Sequence, residues 1–194
     1  MASPTWLVIG LGNPGREHAG QRHNVGAAVL DTLAERIGGR FKAAPGHRAQ
    51  VLEGRAGIGG PKLVLAKPSS YMNLSGGPTS SLAKYFHVDP AHVIVVHDEV
   101  DQDFDTVTTR TGGSEAGHNG LRDITKALGT REYQRVRVGI GRPPGRRPTA
   151  DHVLSAFGAA ERKVLPFLLD TAADAVLELV EQGTAAGAER KEGR

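Results

Sequence analysis

The 194-residue chain has no cysteine, one tryptophan, two methionines and only 5% aromatic residues. Without cysteine there are no disulfides, no thiolate nucleophiles and few ways to build a zinc site, although the absence is weak evidence about redox compartment. There is no long uncharged apolar run, so no membrane-spanning helix is expected. Met1-Ala2-Ser3-Pro4-Thr5 has neither the basic nor the apolar region of a signal peptide, and a cytoplasmic location is the expectation. Gly-x-Ser-x-Gly and His-Glu-x-x-His are also missing, which removes a nucleophile elbow and a helical zinc site. His92 and His97 stand five apart on an expected strand and would point to opposite faces. Water, rather than a side chain, is left as the attacking group for any hydrolytic chemistry.

What is present suits one well-cored domain. The hydrophobic fraction is 39%, and no Ser/Gly/Pro linker divides the chain. Residues 1–182 are expected to form the domain, and the Ala, Glu, Lys and Gly residues of 183–194 a disordered tail. The formal charge of +3 and pI near 9.4 are compatible with a polyanionic partner without requiring one. Basic residues gather at Arg122, Lys126, Arg131, Arg135 and Arg137 and again at Arg142, Arg146 and Arg147, whereas Asp98 to Asp105 holds five acids.

The chain is organised around Trp6-Leu7-Val8-Ile9, an apolar run that ends in Gly10-Leu11-Gly12-Asn13-Pro14-Gly15 and continues to Arg22-His23-Asn24-Val25-Gly26. The run reads as a buried strand and the Gly/Asn/Pro segment as its turn. Asn24 is a candidate N-cap, Val25, Val29, Leu33 and Ile37 recur at helical spacing, and Gly38 stops the helix. His23 then sits at a helix N-terminus, where the dipole favours the neutral imidazole a general base needs.

Further along, His47–Ala56 and Pro61–Ala66 read as a hairpin turning at Gly57-Ile58-Gly59-Gly60. Its second strand runs into a polar loop, Lys67 to Ser75, and a helical pattern through Leu82 and Tyr85. Val93-Ile94-Val95-Val96 is β-branched throughout, the mark of a central strand, and a loop is expected at His97-Asp98-Glu99. Thr106–Thr111 reads as an exposed strand, 112–120 as a mobile glycine-rich loop, Leu121 to Leu128 as a helix and Arg135–Gly141 as a strand with one wetter face. A short helix over Asp151–Phe157 and a long one over Ala159–Glu181 follow, with Pro166 kinking the latter or delaying its start. This order predicts an α/β fold: an α/β/α sandwich around a mixed, mostly parallel twisted sheet.

Ligands in such sheets bind beyond the carboxyl ends of the strands. Three loops would bring together Asn13 with His23, Asn73, and Asp98, and the glycine-rich loop could close from the side with Asn119. A His-carboxylate pair supplies a base of fixed tautomer, and amides can donate to a carbonyl oxygen without adding charge, so the set suits attack on an ester or amide. Each residue has a plainer reading: Asn13 as a turn former, His23 and Asp98 as decoration of element ends, Asn73 and Asn119 as caps, Tyr71 and Met72 as packing. Gly10-Leu11-Gly12-Asn13-Pro14-Gly15 also fits the dinucleotide pattern G-x-G-x-x-G, but the helical run starts only at Val25, too late to bring its N-terminus to a pyrophosphate.

The blocks Gly10–Gly15, Arg22–Gly26, Lys67-Pro68, Tyr71–Gly76, His97–Glu99, Gly117–Leu121 and Arg137–Pro143, with Asp151–Leu154 and Phe157, resemble bacterial-type peptidyl-tRNA hydrolases in content and order. The resemblance implies a monomeric cytoplasmic enzyme, without metal or cofactor, that cleaves the ester joining a peptide to the 3′ end of tRNA. By position it makes His23 the base that activates water and Asp98 the group that orients it. It makes Asn13, Asn73 and Asn119 binders of the peptide and the tRNA 3′ end, with His18, Tyr71, Arg110 and Arg137 completing the substrate-binding set. Several positions depart from the family pattern, and Asp103 and Asp105 stand in a region that is usually less acidic. His18 replaces a usual tyrosine, Ala116 a usual glycine, and Thr108 a common basic residue, and if position 116 needs a positive φ the loop must differ. A non-catalytic RNA-binding protein on the same scaffold is the alternative, and it would have no need of the polar set.

Overall fold

In the computed structural model, which describes residues 3–192 and side chains through residue 185, two strands carry the core. β1 (Trp6–Gly10) and β5 (Val93–Glu99) are parallel neighbours, and every residue of both is buried. Their alternation divides the interior in two. Trp6, Val8, Ile94 and Val96 face α1 (Val25–Ile37) and α5 (Ala159–Glu192), meeting Val29, Leu33, Ala172 and Val176. Leu7, Ile9, Val93 and Val95 face α2 (Gly76–Tyr85) and α3 (Asn119–Leu128), meeting Leu82, Leu121 and Ile124. Each such aliphatic side chain, fully buried, contributes roughly 1.5–3 kcal/mol relative to exposure.

The sheet has seven strands in the order β2-β3-β4-β1-β5-β7-β6. β4 (Lys62–Pro68), β1, β5 and β7 (Gln134–Gly139) run parallel. β3 (Ala49–Arg55) joins β4 antiparallel, as the hairpin reading expects, and β6 (Val107–Thr111) joins β7 antiparallel. Helices cover both faces of this mixed, mostly parallel sheet. One strand was not anticipated, the three-residue edge strand β2 (Lys42–Ala44), too short to show a period.

Three boundaries differ from expectation. β5 extends through His97, Asp98 and Glu99, because β7 pairs with it up to Glu99↔Gly139; Asp98 therefore stands on a strand end, not in a loop. The helix expected at Asp151–Phe157 is α4, Thr149–Val153. α5 starts at Ala159, with Pro166 inside it, and runs through Gly183 to Glu192, where a disordered tail was expected. Gly183 is not a stop: a Cβ there would lie 2.4 Å from the Trp6 ring, and Trp6 Nε1 donates to Thr184 Oγ1 at 3.2 Å. The glycine lets the helix cross the indole, and the Ala- and Glu-rich residues that follow favour helix. Residues 193 and 194 lie outside those described.

Candidate active site

The segment between β1 and α1 is tied across its width. Asn24 precedes α1, as expected of an N-cap, but its side chain serves the loop instead of the helix. Its Oδ1 accepts from the Asn13 N–H at 3.0 Å and its Nδ2 donates to the Asn13 carbonyl at 2.9 Å. Asn13 Oδ1 in turn accepts from the Met72 N–H at 2.8 Å, joining this loop to the one after β4. His23 lies inside the tied segment, on a 3-10 turn over Arg22–Asn24. Two residues into α1 territory, Gly26 brings helix backbone against β5: a Cβ there would sit 2.1 Å from the Val96 carbonyl oxygen.

That contact brings His23 to Asp98. His23 Nδ1 donates to Asp98 Oδ2 at 2.8 Å, and His118 Nε2 donates to Asp98 Oδ1 at 2.8 Å. The His118 tautomer follows from its other nitrogen, which caps α3 by accepting from the Gly120 and Leu121 N–H groups at 3.1 and 3.3 Å. Burial disfavours charge on Asp98, which is 2% exposed, but the two imidazoles outweigh it and hold the carboxyl below the usual carboxylate range. With Nδ1–H of His23 committed to the carboxylate, its Nε2 is left as a proton acceptor. The three residues offer ligand atoms within 4.8 Å of one another, yet both His118 nitrogens are engaged, so the cluster is a hydrogen-bonded triad.

Behind the triad, His97 is buried, donates from Nδ1 to the Asp98 carbonyl at 2.8 Å and sets its ring edge-on 5.3 Å from His118. Burial foremost, with His118 adding to it, pushes its pKa down to about 3, so the ring stays neutral.

The triad opens into a cleft of about 590 Å³. Asn13, His23, Tyr71, Asn73, Asp98 and Asn119 all line it, from four separate segments of the chain. Its far wall is α4 and the residue after it, through Thr149, Ala150, Val153 and Leu154. Ala116, Gly117 and His118 of the glycine-rich loop form another side. Ala116 keeps φ at +48°, the left-handed conformation a glycine would adopt freely, so the loop does not change course to suit its methyl group. His18 is not among the lining residues; it sits on a 3-10 turn with Nδ1 3.0 Å from Gln21 Oε1. Arg110 and Arg137 line a small cavity of about 50 Å³ beside the cleft, with Glu99 and Ala116 shared between the two spaces.

Two residues of the site went unassigned in the sequence. His118 is one; its only signal was its place before the α3 run, where a Ser or Asp cap would be ordinary. Glu99 is the other: it lines the cleft, and burial pushes its carboxyl pKa up while Arg137, 3.8 Å away, opposes the shift.

A mixed α/β sheet with a His-carboxylate pair at the carboxyl edge of its central parallel strands defines a hydrolase-type site with no side-chain nucleophile beside the base. Residues 7–193 match the family model described as peptidyl-tRNA hydrolase, and the chain belongs to that family. It is 62% identical over 186 residues to the peptidyl-tRNA hydrolase of Arthrobacter sp. strain FB24, covering 96% of this chain and 95% of the other. It is 57% identical to that of Renibacterium salmoninarum, covering 97% of each. Among solved structures, the peptidyl-tRNA hydrolase of Acinetobacter baumannii superposes with a TM-score of 0.84 at 34% identity, covering 97% of this chain and 94% of that one. Among the described residues no helix is long and apolar enough to cross a membrane.

Proposed function

We propose that this chain hydrolyses the ester between a peptide, or an N-blocked amino acid, and the 3′ end of tRNA, acting as a cytoplasmic monomer. The observation that carries the reading is the triad in the cleft: His23 bonded to a buried, ionised Asp98 whose second oxygen is held by His118. His23 Nε2 takes a proton from water as its oxygen attacks the ester carbon, and the resulting imidazolium is stabilised by Asp98. Collapse of the tetrahedral intermediate breaks the bond to the ribose oxygen, and His23 returns the proton to that leaving group.

Asn13 has its Oδ1 fixed by the Met72 N–H, which leaves Nδ2 to donate toward the cleft and makes it the candidate for the developing oxyanion. Asn73, Asn119 and Tyr71 are exposed in the cleft and suit contacts to the peptide amide and the terminal nucleotide. A blocked amino group offers these donors and acceptors a neutral amide. Free aminoacyl-tRNA presents a charged amine there, and should be spared. Arg110 and Arg137, beside the cleft, are placed for phosphate contacts. His18, outside the cleft lining, is left with at most an outer contact.

The test is release of the acyl group from N-acetyl-aminoacyl-tRNA by the wild type and by His23→Ala, with the unblocked ester as control. Cleavage of the blocked ester alone is expected, falling by about 10² to 10⁴ in the variant while its thermal unfolding stays near wild type. RNA binding without cleavage by the wild type would refute the hydrolase reading.

A further inference from the structure

The residue before the base, Arg22, is buried and unites two parts of the site that are remote in sequence. Its guanidinium donates to the Ser155 hydroxyl, to the Ala156 carbonyl at 2.7 Å and to Glu161 Oε1 at 2.7 Å. The same Glu161 oxygen accepts from the Gly158 N–H at 2.8 Å, ahead of α5. The guanidinium carbon lies 5.4 Å from the centre of the Phe157 ring. The Arg22 backbone takes part as well: its N–H donates to the Ser155 carbonyl at 3.0 Å, and Gln21 forms a bridge with Ala156. All of these partners belong to the turn that leads from α4 into α5 or to the first turn of α5.

α4 needs such an anchor. It is reached through a link, residues 141–148, that contains Pro143, Pro144 and Pro148, has Gly141 and Gly145 at positive φ and is exposed from 144 onward. The buried His152 side chain ties α4 back to the Gly141 carbonyl, at 3.0 Å. The polar attachment of α4 to the catalytic side of the cleft is concentrated at Arg22, beside the packing of Val153 and Phe157 on the core, and that arginine adjoins His23.

We infer that Arg22 is a positioning residue that sets the distance between the α4 wall and His23, and thereby which acyl side chains fit beside the ester. This rests on the proposed ester hydrolysis. The apolar part of the wall suits the acyl half of the substrate. The tRNA is a polyanion, and Arg110 and Arg137 stand on the Glu99 and Ala116 side of the cleft. Val153 and Leu154 give the wall apolar surface, fit for the side chain of the esterified residue. A guanidinium holding a hydroxyl, a carbonyl and a carboxylate together fixes direction as well as distance, which a lysine at the same place would not do.

The experiment compares wild type, Arg22→Met and Arg22→Lys in two ways. Hydrogen exchange over residues 149–156 needs no turnover; it should quicken at least about tenfold in Arg22→Met, with Arg22→Lys between the two. Steady-state kinetics then use N-acetyl-phenylalanyl-tRNA and N-acetyl-glycyl-tRNA. In Arg22→Met, KM for the bulky acyl group should rise about tenfold, KM for the glycyl ester by less than about threefold, and kcat should hold within about threefold for both. An equal fall in kcat for the two substrates with exchange unchanged would show that Arg22 serves only His23 and overturn the inference. A drop in melting temperature with both KM values intact would overturn it as well. If Arg22→Met does not fold, Ser155→Ala and Glu161→Gln each remove one partner and should shift exchange and the bulky-substrate KM in the same direction by less. Wild type that shows no turnover but slow exchange over 149–156 would refute the hydrolase reading while leaving the clamp standing.

Discussion

The β1–α1 loop and the glycine-rich loop meet across one cleft and are built on opposite plans. The first is cross-braced by side-chain amides, Asn24 to the Asn13 backbone and Asn13 to Met72, and it lies over buried strand ends. The second has Gly112, Gly113, Ala116 and Gly117 at positive φ and is held through its backbone carbonyls, Gly113 and Ser114 accepting from Arg135 at 3.0 and 2.7 Å, and at its end, where His118 caps α3 and reaches Asp98. The base stands in the amide-braced loop and an orienting group at the end of the arginine-held one. Proton transfer needs a fixed geometry, and both loops supply it, one through asparagine side chains and the other through a buried guanidinium.

Breaking the brace should have the largest effect. Asn24→Ala removes both bonds to Asn13 and leaves its backbone groups unpaired, which should cost about 1–3 kcal/mol of stability. The accompanying loss of alignment should lower kcat by about 10- to 100-fold. Thermal unfolding and single-turnover kinetics measure the two, and unchanged kcat with reduced stability would mean that the brace holds the fold alone.

The floor under the glycine-rich loop gives an effect on stability that depends on pH. An unfolded histidine takes up a proton near pH 6.5, whereas buried His97 resists until about pH 3. The unfolded state therefore binds the extra proton across that window, and stability falls as pH drops through it, by a few kcal/mol. His97→Asn should flatten this part of the curve in urea unfolding at stepped pH. Asp98 acts in another window: its depressed pKa contributes stability above the unfolded carboxylate range that is lost only as pH falls below about 4. A variant curve that stays parallel to wild type between pH 6.5 and 4 would remove His97 as the source.

The gentlest change sharpens the contrast from the other side. Ala116→Gly relieves a left-handed alanine worth roughly 1–2 kcal/mol but adds backbone freedom to the unfolded chain, so the net change should stay within about 1 kcal/mol. Activity should persist with faster exchange at residues 114–118, and a large loss of turnover would show that the methyl group itself matters.

Much of the site was legible because its residues lie at the ends of apolar runs. The unbroken apolar runs Trp6–Ile9 and Val93–Val96 marked the central strands, and strand ends in such sheets are where ligands bind. What the sequence concealed has physical causes. His97 to Glu99 are polar and read as loop, yet ladder bonds to β7 keep them in the strand. Gly183 reads as a helix terminus, while its role is close passage over Trp6. His118 carries no marker of its own, because its function depends on two backbone N–H groups of α3 and a carboxylate twenty residues away in sequence. Arg22 looks like an ordinary basic residue until α5 supplies its acidic partner.

Gly26 deserves a final consideration as a ruler. The bond between His23 and Asp98 measures 2.8 Å, and both residues ride on backbones that touch where Gly26 faces the Val96 carbonyl. A methyl group at position 26 would require those backbones to part by more than about 1 Å to restore ordinary contact, stretching a bond of that length past 3.5 Å, where it ceases to be one. The working tolerance of the base is thus written into a position that carries no side chain. An alanine there would cost the packing of α1 on β5 and the alignment of the base together.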